Sequence, residues 1–345
     1  MYLGEKMSNE TIGVPVKWIG PVMLNYAGEK HQIDVPMATY ETTLWPSTQR
    51  GARISQYSDG INISVESSSM TRSILIETKT NNQAIEIKRF ILNNKSEIDK
   101  VVSTTSNYCK FIDSHIEIVG NLLYIRLKFN SDQASGHNMT TKAAQAIQKF
   151  LLEKFDFAKY VTVSANTCID KKASAINGIL ERGKKVTAEI VIPRRICIKM
   201  LRTTPEEIVN LNVKKNYIGS ILAGSLRSAN AHFANILLAT YLATGQDAAN
   251  IVEGSQGITY ASVTDEGDLY FSVYLPNIIV GTVGNGKHLG FVSQNLERMK
   301  CSNDSEKLAG VIAAATLCSE LSLIAAQTNF GELMRAHELH ERKGK

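Results

Sequence analysis

Thiol chemistry has little material in this chain. Its 345 residues include five cysteines, Cys109, Cys168, Cys197, Cys301 and Cys318. The number is odd, the spacing scattered, and no C-x-x-C occurs. That pattern excludes a disulfide framework or a thiolate zinc site and predicts a reducing compartment. Charge is equally sparse: the formal net charge is +5, with 21% charged residues. This falls short of the clustered basic stripe of a nucleic-acid binder and suits an anionic small ligand. The stretch "MYLGEKMSNE" is charged and has no apolar core, so no signal peptide is predicted. The most apolar run, "GVIAAATLCSELSLIAA", carries Glu320 and polar serines and reads as too short to span a bilayer comfortably. Internal repeats, low-complexity tracts and heptads are missing as well. The expectation is a cytoplasmic, soluble protein without nucleic-acid or membrane partners, of two domains or one large domain with an insertion.

The first third reads as turns and short strands, with Pro, Thr and Gly breaking "VPMATYETTLWPSTQRGARI". From about residue 74 the pattern changes. "SILIET" and "NLLYIRLKF" alternate like half-buried strands, and "TTKAAQAIQKFLLEKF" has helical spacing behind a Thr-rich start suited to capping. "YVTVSA" reads as a further strand. This interleaving predicts a small α+β unit inserted into a larger domain. Beyond residue 200 the chain is richer in helix. "NYIGSILAGSLRSANAHFANILLATYLATG" has small residues at close intervals and stops at Gly245, a residue suited to a C-terminal cap. "GITYASVTDEGDLYFSVYLPNIIVGTVGNG" predicts strand, turn, strand and glycine-rich loop, followed by a long Ala- and Leu-rich helix.

Taken one at a time, the polar candidates have modest readings. "ANTCIDKKASAIN" places Asp170, Lys171 and Lys172 in a row, as a solvated turn does. Glu41 reads as a loop acid in an uncharged neighbourhood, where burial would raise its pKa. Asp247 reads as an N-cap. His337, with His340 three residues on, fits a solvated C-terminal helix, and no H-E-x-x-H accompanies it, so no metal site is predicted. His232 reads as a hydrogen-bonded core histidine. "ASGHNMTTK" and "GTVGNGK" are glycine-bearing loops suited to phosphates, although neither matches G-x-G-x-x-G or the Walker pattern.

In order, however, these windows resemble the catalytic portion of the 3-hydroxy-3-methylglutaryl-CoA (HMG-CoA) reductases. "VPMATYE" is similar to the family's Val-Pro-Met-Ala-Thr-Thr-Glu segment, and "MTRS" to its Met-Thr-Arg. "SANTCIDKKASAIN" resembles its Asp-Lys-Lys loop, and "NAHFANILLATYLATGQDAAN" its Asn-Ala-His helix and Gly-Gln-Asp turn. "DLYFSVYLPNIIVGTVGNG", "ELSLIAA" and "MRAH" complete a likeness running from about residue 10 to residue 342. The resemblance implies an α+β fold: a large, helix-rich substrate-binding domain (1–73 and 163–345) with an inserted small ferredoxin-like cofactor-binding domain (74–162). It also implies four-electron reduction of HMG-CoA to mevalonate and CoA by NADPH, with NADH a competitor. By the same resemblance, Lys171 meets the thioester oxygen, Glu41 carries a proton, Asp247 joins both in one coupled unit, and His337 protonates the leaving thiolate. Arg72, Ser164, Asp170, Lys172, Lys215 and Asn235 match substrate positions. Ser47, Gln49, Arg50 and Arg202 match CoA positions.

Two departures stand out. The family's Asp-Ala-Met-Gly-x-Asn cofactor loop is here Gln133-Ala134-Ser135-Gly136-His137-Asn138, of which Gly136, His137 and Asn138 are expected to bind the cofactor. Its Ser-Arg-Phe is Ser106-Asn107-Tyr108, which loses a guanidinium partner for a 2′-phosphate, with Lys110 as the nearest replacement. The absence of an anchor or extended C-terminal domain in the given sequence points to a soluble class I-like member. The resemblance further implies a homodimer or higher homo-oligomer with active sites at subunit interfaces. The rival readings are an NAD-linked enzyme that oxidises mevalonate and a non-catalytic acyl-CoA binder.

Overall fold

The computed structural model describes residues 12–341. Strands β1 (Val16–Tyr26) and β2 (Glu29–Ala38) form an antiparallel hairpin. Its two turn residues, Ala27 and Gly28, have φ of 52° and 80°. A two-residue hairpin turn with both central φ values positive matches the right-handed twist of its strands. Helix α1 (Leu44–Tyr57) follows, where the sequence suggests only turns and short strands. Its proline does no damage because Pro46 lies in the first turn, where peptide N–H groups have no intrahelical partner. Thr48 donates its hydroxyl to the Leu44 carbonyl at 2.8 Å.

The central element is β3 (Ile61–Glu77), a single strand of 17 residues. After it come α2 (Asn81–Asn93), α3 (Lys95–Ser103), β4 (Lys110–Val119), β5 (Leu122–Asn130), α4 (His137–Lys154) and β6 (Lys159–Val163). Then α5 (Ile176–Leu180), β7 (Gly183–Ile192) and α6 (Arg194–Ile196) lead through a π-helical turn to α7 (Pro205–Leu211). A second π-helical stretch, Asn212–Gly219, precedes α8 (Ser220–Leu222), α9 (Phe233–Ala243) and α10 (Ile251–Gly254). Strands β8 (Ile258–Val263) and β9 (Leu269–Ile278) and helices α11 (Gly290–Arg298), α12 (Ser305–Gln327) and α13 (Glu332–Glu341) complete the order.

The first half of β3 pairs with β7, from Asn62 opposite Glu189 to Ser69 opposite Gly183. Its second half pairs with β5 on one side and β6 on the other. One path through the sheet therefore runs β2-β1-β3-β7-β9-β8, and a second runs β4-β5-β3-β6. Two apolar clusters accompany these paths. Ile74, Ile76, Ile87, Ile125 and Ile147 belong to one, while Ile63, Val186, Phe271 and most of α12 belong to the other. Burial on both faces explains why α12 shows no polar side. At 23 residues it is longer than its apolar run suggests, and burial inside the molecule, rather than shortness, accounts for its composition.

One local expectation needs correction. The threonines before "KAAQ" do not cap α4. Gly136, at φ 91°, takes that place, and Thr140 and Thr141 turn their hydroxyls back to the carbonyls of Gly136 and His137. The long small-residue window holds the end of the π-helical stretch, α8 and α9, and it ends at Gly245, with φ 61°, as expected.

Helices α1 and α12 approach closely at Gly51, where an added Cβ would collide with the Cys318 backbone. Gly51→Ala should therefore lower unfolding free energy by about 2 kcal/mol despite the helix propensity of alanine. Urea denaturation checks this, and an unchanged midpoint would count against the packing.

Candidate active site

The segment from Ser164 to Lys171 is held in an uncommon backbone shape. Ser164, Asn166, Ile169 and Lys171 have φ of 82°, 61°, 40° and 57°. Such non-glycine residues cost on the order of 1 kcal/mol apiece and persist only where surrounding contacts enforce them. Two buried arginines supply those contacts. Arg126, on β5, donates to the carbonyls of Thr167 at 2.7 Å and Glu181 at 2.8 Å. It also reaches the Asn177 side chain, whose amide donates to the Ile169 carbonyl at 2.8 Å. Burial brings the Arg126 guanidinium down to about 10. Arg182, with a fully buried side chain, donates to Asp170 Oδ1 at 2.6 Å, to Thr71, and to Glu253 Oε1 at 3.4 Å.

On this frame the predicted polar residues gather. Lys171 Nζ lies 2.6 Å from Asp247 Oδ2, each side chain about one-third exposed. Asp247 also accepts the Ala249 N–H at 3.1 Å, so it is the expected N-cap and the lysine's partner at once. Burial would raise the Asp247 carboxyl, but the bond from Lys171 outweighs it and holds the acid below its ordinary range. Arg72 reaches Ser164 Oγ at 3.2 Å and Asp170 Oδ2 at 3.5 Å. For Asp170, too, burial pushes the pKa up, while Arg182 leads the cations that bring it down. Lys172, exposed, turns its amine to the Asp170 carbonyl at 3.0 Å.

Glu41 stands elsewhere. It is exposed, so the chain itself does not bury its carboxyl group. Asn235 Nδ2 donates to Glu41 Oε2 at 2.7 Å. No described hydrogen bond or ion pair joins Glu41 to Lys171 or Asp247, so a single chain does not form the expected three-residue unit. Glu41 and Asn235 instead line a cavity of about 400 Å³ with Ser47, Arg50, His232 and Glu332. Ser47 and Arg50 both meet Ser322 of α12, and burial lowers the pKa of Arg50. Arg202 pairs with Glu332 at 3.0 Å. Gln49 is occupied differently, because both ends of its amide bond the backbone of Gly20, at 3.0 and 2.8 Å. That bidentate pairing ties Gln49 to the hairpin β1–β2. Lys215 lies on the π-helical stretch before α8, and no hydrogen bond or ion pair joins it to another predicted residue among the described residues. His337 falls on α13, and its side chain lies outside the described residues.

The two glycine-bearing loops, weak as separate motifs, pack against each other. Thr282 N–H donates to the Gln133 carbonyl at 2.8 Å, and Ala134 bridges Val283. A Cβ on Gly281 would strike the backbone at Ser135, so only glycine permits this crossing. Gln133 Oε1 accepts the Ser305 N–H at 2.7 Å, tying the loop to the start of α12. Gly136 then opens α4 without a side-chain cap. An uncapped 18-residue helix start leaves peptide N–H groups directed at an anion. His137 turns inward, between Asn250 Oδ1 at 3.3 Å and Asp170 Oδ1 at 3.8 Å. Burial, helped by Arg182, depresses its pKa to about 4. Asn138 is exposed, as are Asn107 and Tyr108, while Ser106 Oγ accepts the Tyr108 N–H at 3.1 Å.

Sequence reasoning missed Arg126, Arg182, Asn177 and Glu253, the groups that shape the substrate loop. Arg182 sits in "LERGKK", a charged block whose sequence gives no sign of burial, and in the fold its guanidinium is enclosed with Thr71, Asp170 and Glu253 as partners. Glu320 carried one visible signal, a lone acid in an apolar helix. Its carboxylate accepts the N–H groups of Ala231 and His232, the Thr259 hydroxyl and the His232 ring, the last at 2.5 Å. Burial would raise its pKa, but these donors, His232 foremost, hold it low.

Comparison with known proteins agrees with this arrangement. The family model for hydroxymethylglutaryl-coenzyme A reductase matches residues 6–342. The 3-hydroxy-3-methylglutaryl-coenzyme A reductase of Pyrococcus abyssi is 39% identical over 336 residues, covering 95% of this chain and 82% of that protein. The enzyme of the same name from Methanocaldococcus jannaschii is 40% identical over 334 residues, with 95% and 82% covered. Among solved structures, the class II 3-hydroxy-3-methylglutaryl-CoA reductase from Streptococcus pneumoniae bound to NADPH superposes with a TM-score of 0.76 at 19% identity, covering 94% of this chain and 88% of that one. At that identity it shows a shared mixed α+β fold. With the family model spanning nearly the whole length and the Asp-Lys-Lys loop folded onto Asp247, the chain belongs to the hydroxymethylglutaryl-coenzyme A reductase family.

Proposed function

We propose that this protein reduces (S)-3-hydroxy-3-methylglutaryl-CoA to (R)-mevalonate and free CoA, consuming two equivalents of NADPH in preference to NADH. The observation that carries the reading is the 2.6 Å pair of Lys171 and Asp247 beside Arg72, Ser164 and Asp170. The ammonium is the group a thioester oxygen needs as negative charge develops on it. Asp247 keeps that cation aimed, and a preorganised donor of this kind is worth several kcal/mol, to order of magnitude. Arg72 offers a fork for the free carboxylate of the substrate. Glu41, with Asn235 on one oxygen, is the proton carrier to the substrate oxygen, and His337 is the acid for the departing thiolate. The cavity bordered by Ser47 and Arg50 is the route for the CoA portion.

The nicotinamide cofactor supplies hydride when bound. The residues here fit such a group: the crossed loops at 133–136 and 281–283 and the uncapped start of α4 form a cradle for its phosphates. Asn107 and Tyr108 lie at an exposed turn, with exposed Lys110 at the start of β4, an arrangement suited to the ribose end. The β3-α2-α3-β4-β5-α4-β6 run, with strand order β4-β5-β3-β6, favours a ferredoxin-like unit at 74–162 inserted into a substrate domain formed by 1–73 and 163–345. The boundary falls inside β3, and the division of its apolar residues between two clusters supports it. Identities of 39–40% with archaeal relatives, against 19% with a class II structure, favour a soluble, class I-like member.

Since Glu41 and Lys171 occupy separate regions of one chain, the complete site is built between subunits of a homodimer or larger oligomer. Exposed Ile221 and Leu222 on α8 supply apolar surface for such an interface.

Two assays test the reading. With HMG-CoA, Lys171→Ala should lower turnover of NADPH or NADH by about a thousandfold, and near-normal turnover would contradict the mechanism. Separately inactive Lys171→Ala and Glu41→Gln chains, co-expressed, should recover about a quarter of wild-type activity, because half the dimers then hold one intact site of two. Mixtures that stay dead would place both residues in one subunit's site.

A further inference from the structure

Lys171 is gripped twice by one short segment. Its amine meets Asp247, and its peptide N–H donates to Glu253 Oε1 at 3.3 Å, six residues further along the same segment. Glu253 is fully buried on α10. The same Oε1 receives Arg182 Nε at 3.4 Å, whereas Oε2 has no hydrogen-bond partner among the described residues. A carboxylate serving only to neutralise Arg182 has no need to face a loop peptide. Arg182, moreover, already meets Asp170 at 2.6 Å and the Thr71 carbonyl and hydroxyl. The lysine's backbone does need such a hold. With φ at 57°, Lys171 sits in the left-handed region, and that conformation sets the direction in which its side chain leaves the loop.

We infer that Glu253 is a positioning residue for Lys171, fixing the left-handed peptide so that the ammonium projects to Asp247 and the reacting oxygen. The inference rests on the oxyanion role proposed for Lys171 and adds a residue that touches neither substrate nor cofactor. The lever is geometric: the acceptor at residue 253 holds the peptide N–H, and Asp247 meets the ammonium at 2.6 Å. Small errors in the placement of a charge-stabilising group cost rate more than they cost binding.

Glu253→Gln keeps a side-chain oxygen for the Lys171 N–H, while Glu253→Met fills similar volume without one. Glu253→Gln should hold kcat within about threefold of wild type. Glu253→Met should lower kcat about thirtyfold, with the dissociation constant for HMG-CoA changed less than about threefold. An activity-independent readout is the ¹³C resonance of reductively dimethylated Lys171, identified by its loss in Lys171→Arg. It should keep its native position in Glu253→Gln and move to that of a solvent-exposed lysine in Glu253→Met. Wild-type kcat with a native resonance in Glu253→Met would overturn the inference. So would Glu253→Gln turnover below about a tenth of wild type, which also decides the matter if the Met variant does not fold. Should the wild-type protein reduce no HMG-CoA at all, the functional reading falls, and the resonance comparison still judges how the lysine is placed.

Discussion

The pairing of Lys171 with Asp247 depends on a loop that would not hold its shape alone. Around it, Arg72, Arg182 and Lys171 face Asp170, Asp247 and Glu253, and each cation has at least one carboxylate within 3.5 Å. Arg182 and Glu253 have no exposed side-chain surface, so removing Arg182 leaves carboxylates unpaired where water screens them poorly, whereas Arg182 keeps Asp170 at 2.6 Å if Glu253 is lost. Mutual satisfaction of these groups is what maintains four left-handed residues in sequence between Ser164 and Lys171. The loop spends backbone strain and buried charge to aim one ammonium.

A second chain of contacts starts in the apolar core and ends at the other proposed catalytic carboxylate. Glu320 on α12 captures the start of α9 through two peptide N–H groups and the His232 ring. The far nitrogen of that ring meets Ser319 at 3.0 Å, so both ring nitrogens are engaged and His232 serves as structure. One turn further along α9, Asn235 holds Glu41. The acid and serines that interrupt the apolar run are thus the anchor for this second group. Both centres follow the same rule: a deeply buried charge holds a backbone segment, and the segment presents an exposed functional side chain.

Much of this was legible in the residue order. Strands β3, β5, β6, β8 and β9 and the long buried helix follow from alternation and apolar content, whereas β4 and β7 were not read as strands, and the ordered motifs identify the family. What could not be read was mostly burial. Arg182 and Glu253 carry charge, and a sequence window does not show that both side chains are buried. Helix α1 was hidden by Pro46, which is harmless only because it falls in the first turn. Gln49 matched a CoA position by alignment of motifs, yet the hairpin β1–β2 brings Gly20 against it and occupies its amide. The altered cofactor loop looked like a loss, whereas Gln133 ties the loop to α12 through one peptide N–H.

The central claim, that the cluster around Lys171 exists to set one ammonium against the oxygen of a thioester, is tested most directly by a crystal structure with HMG-CoA bound. The account predicts Lys171 Nζ about 3 Å from the thioester oxygen, still bonded to Asp247, with a partner subunit's glutamate completing the site. An ammonium directed into solvent, with the thioester oxygen held by other groups, would contradict it.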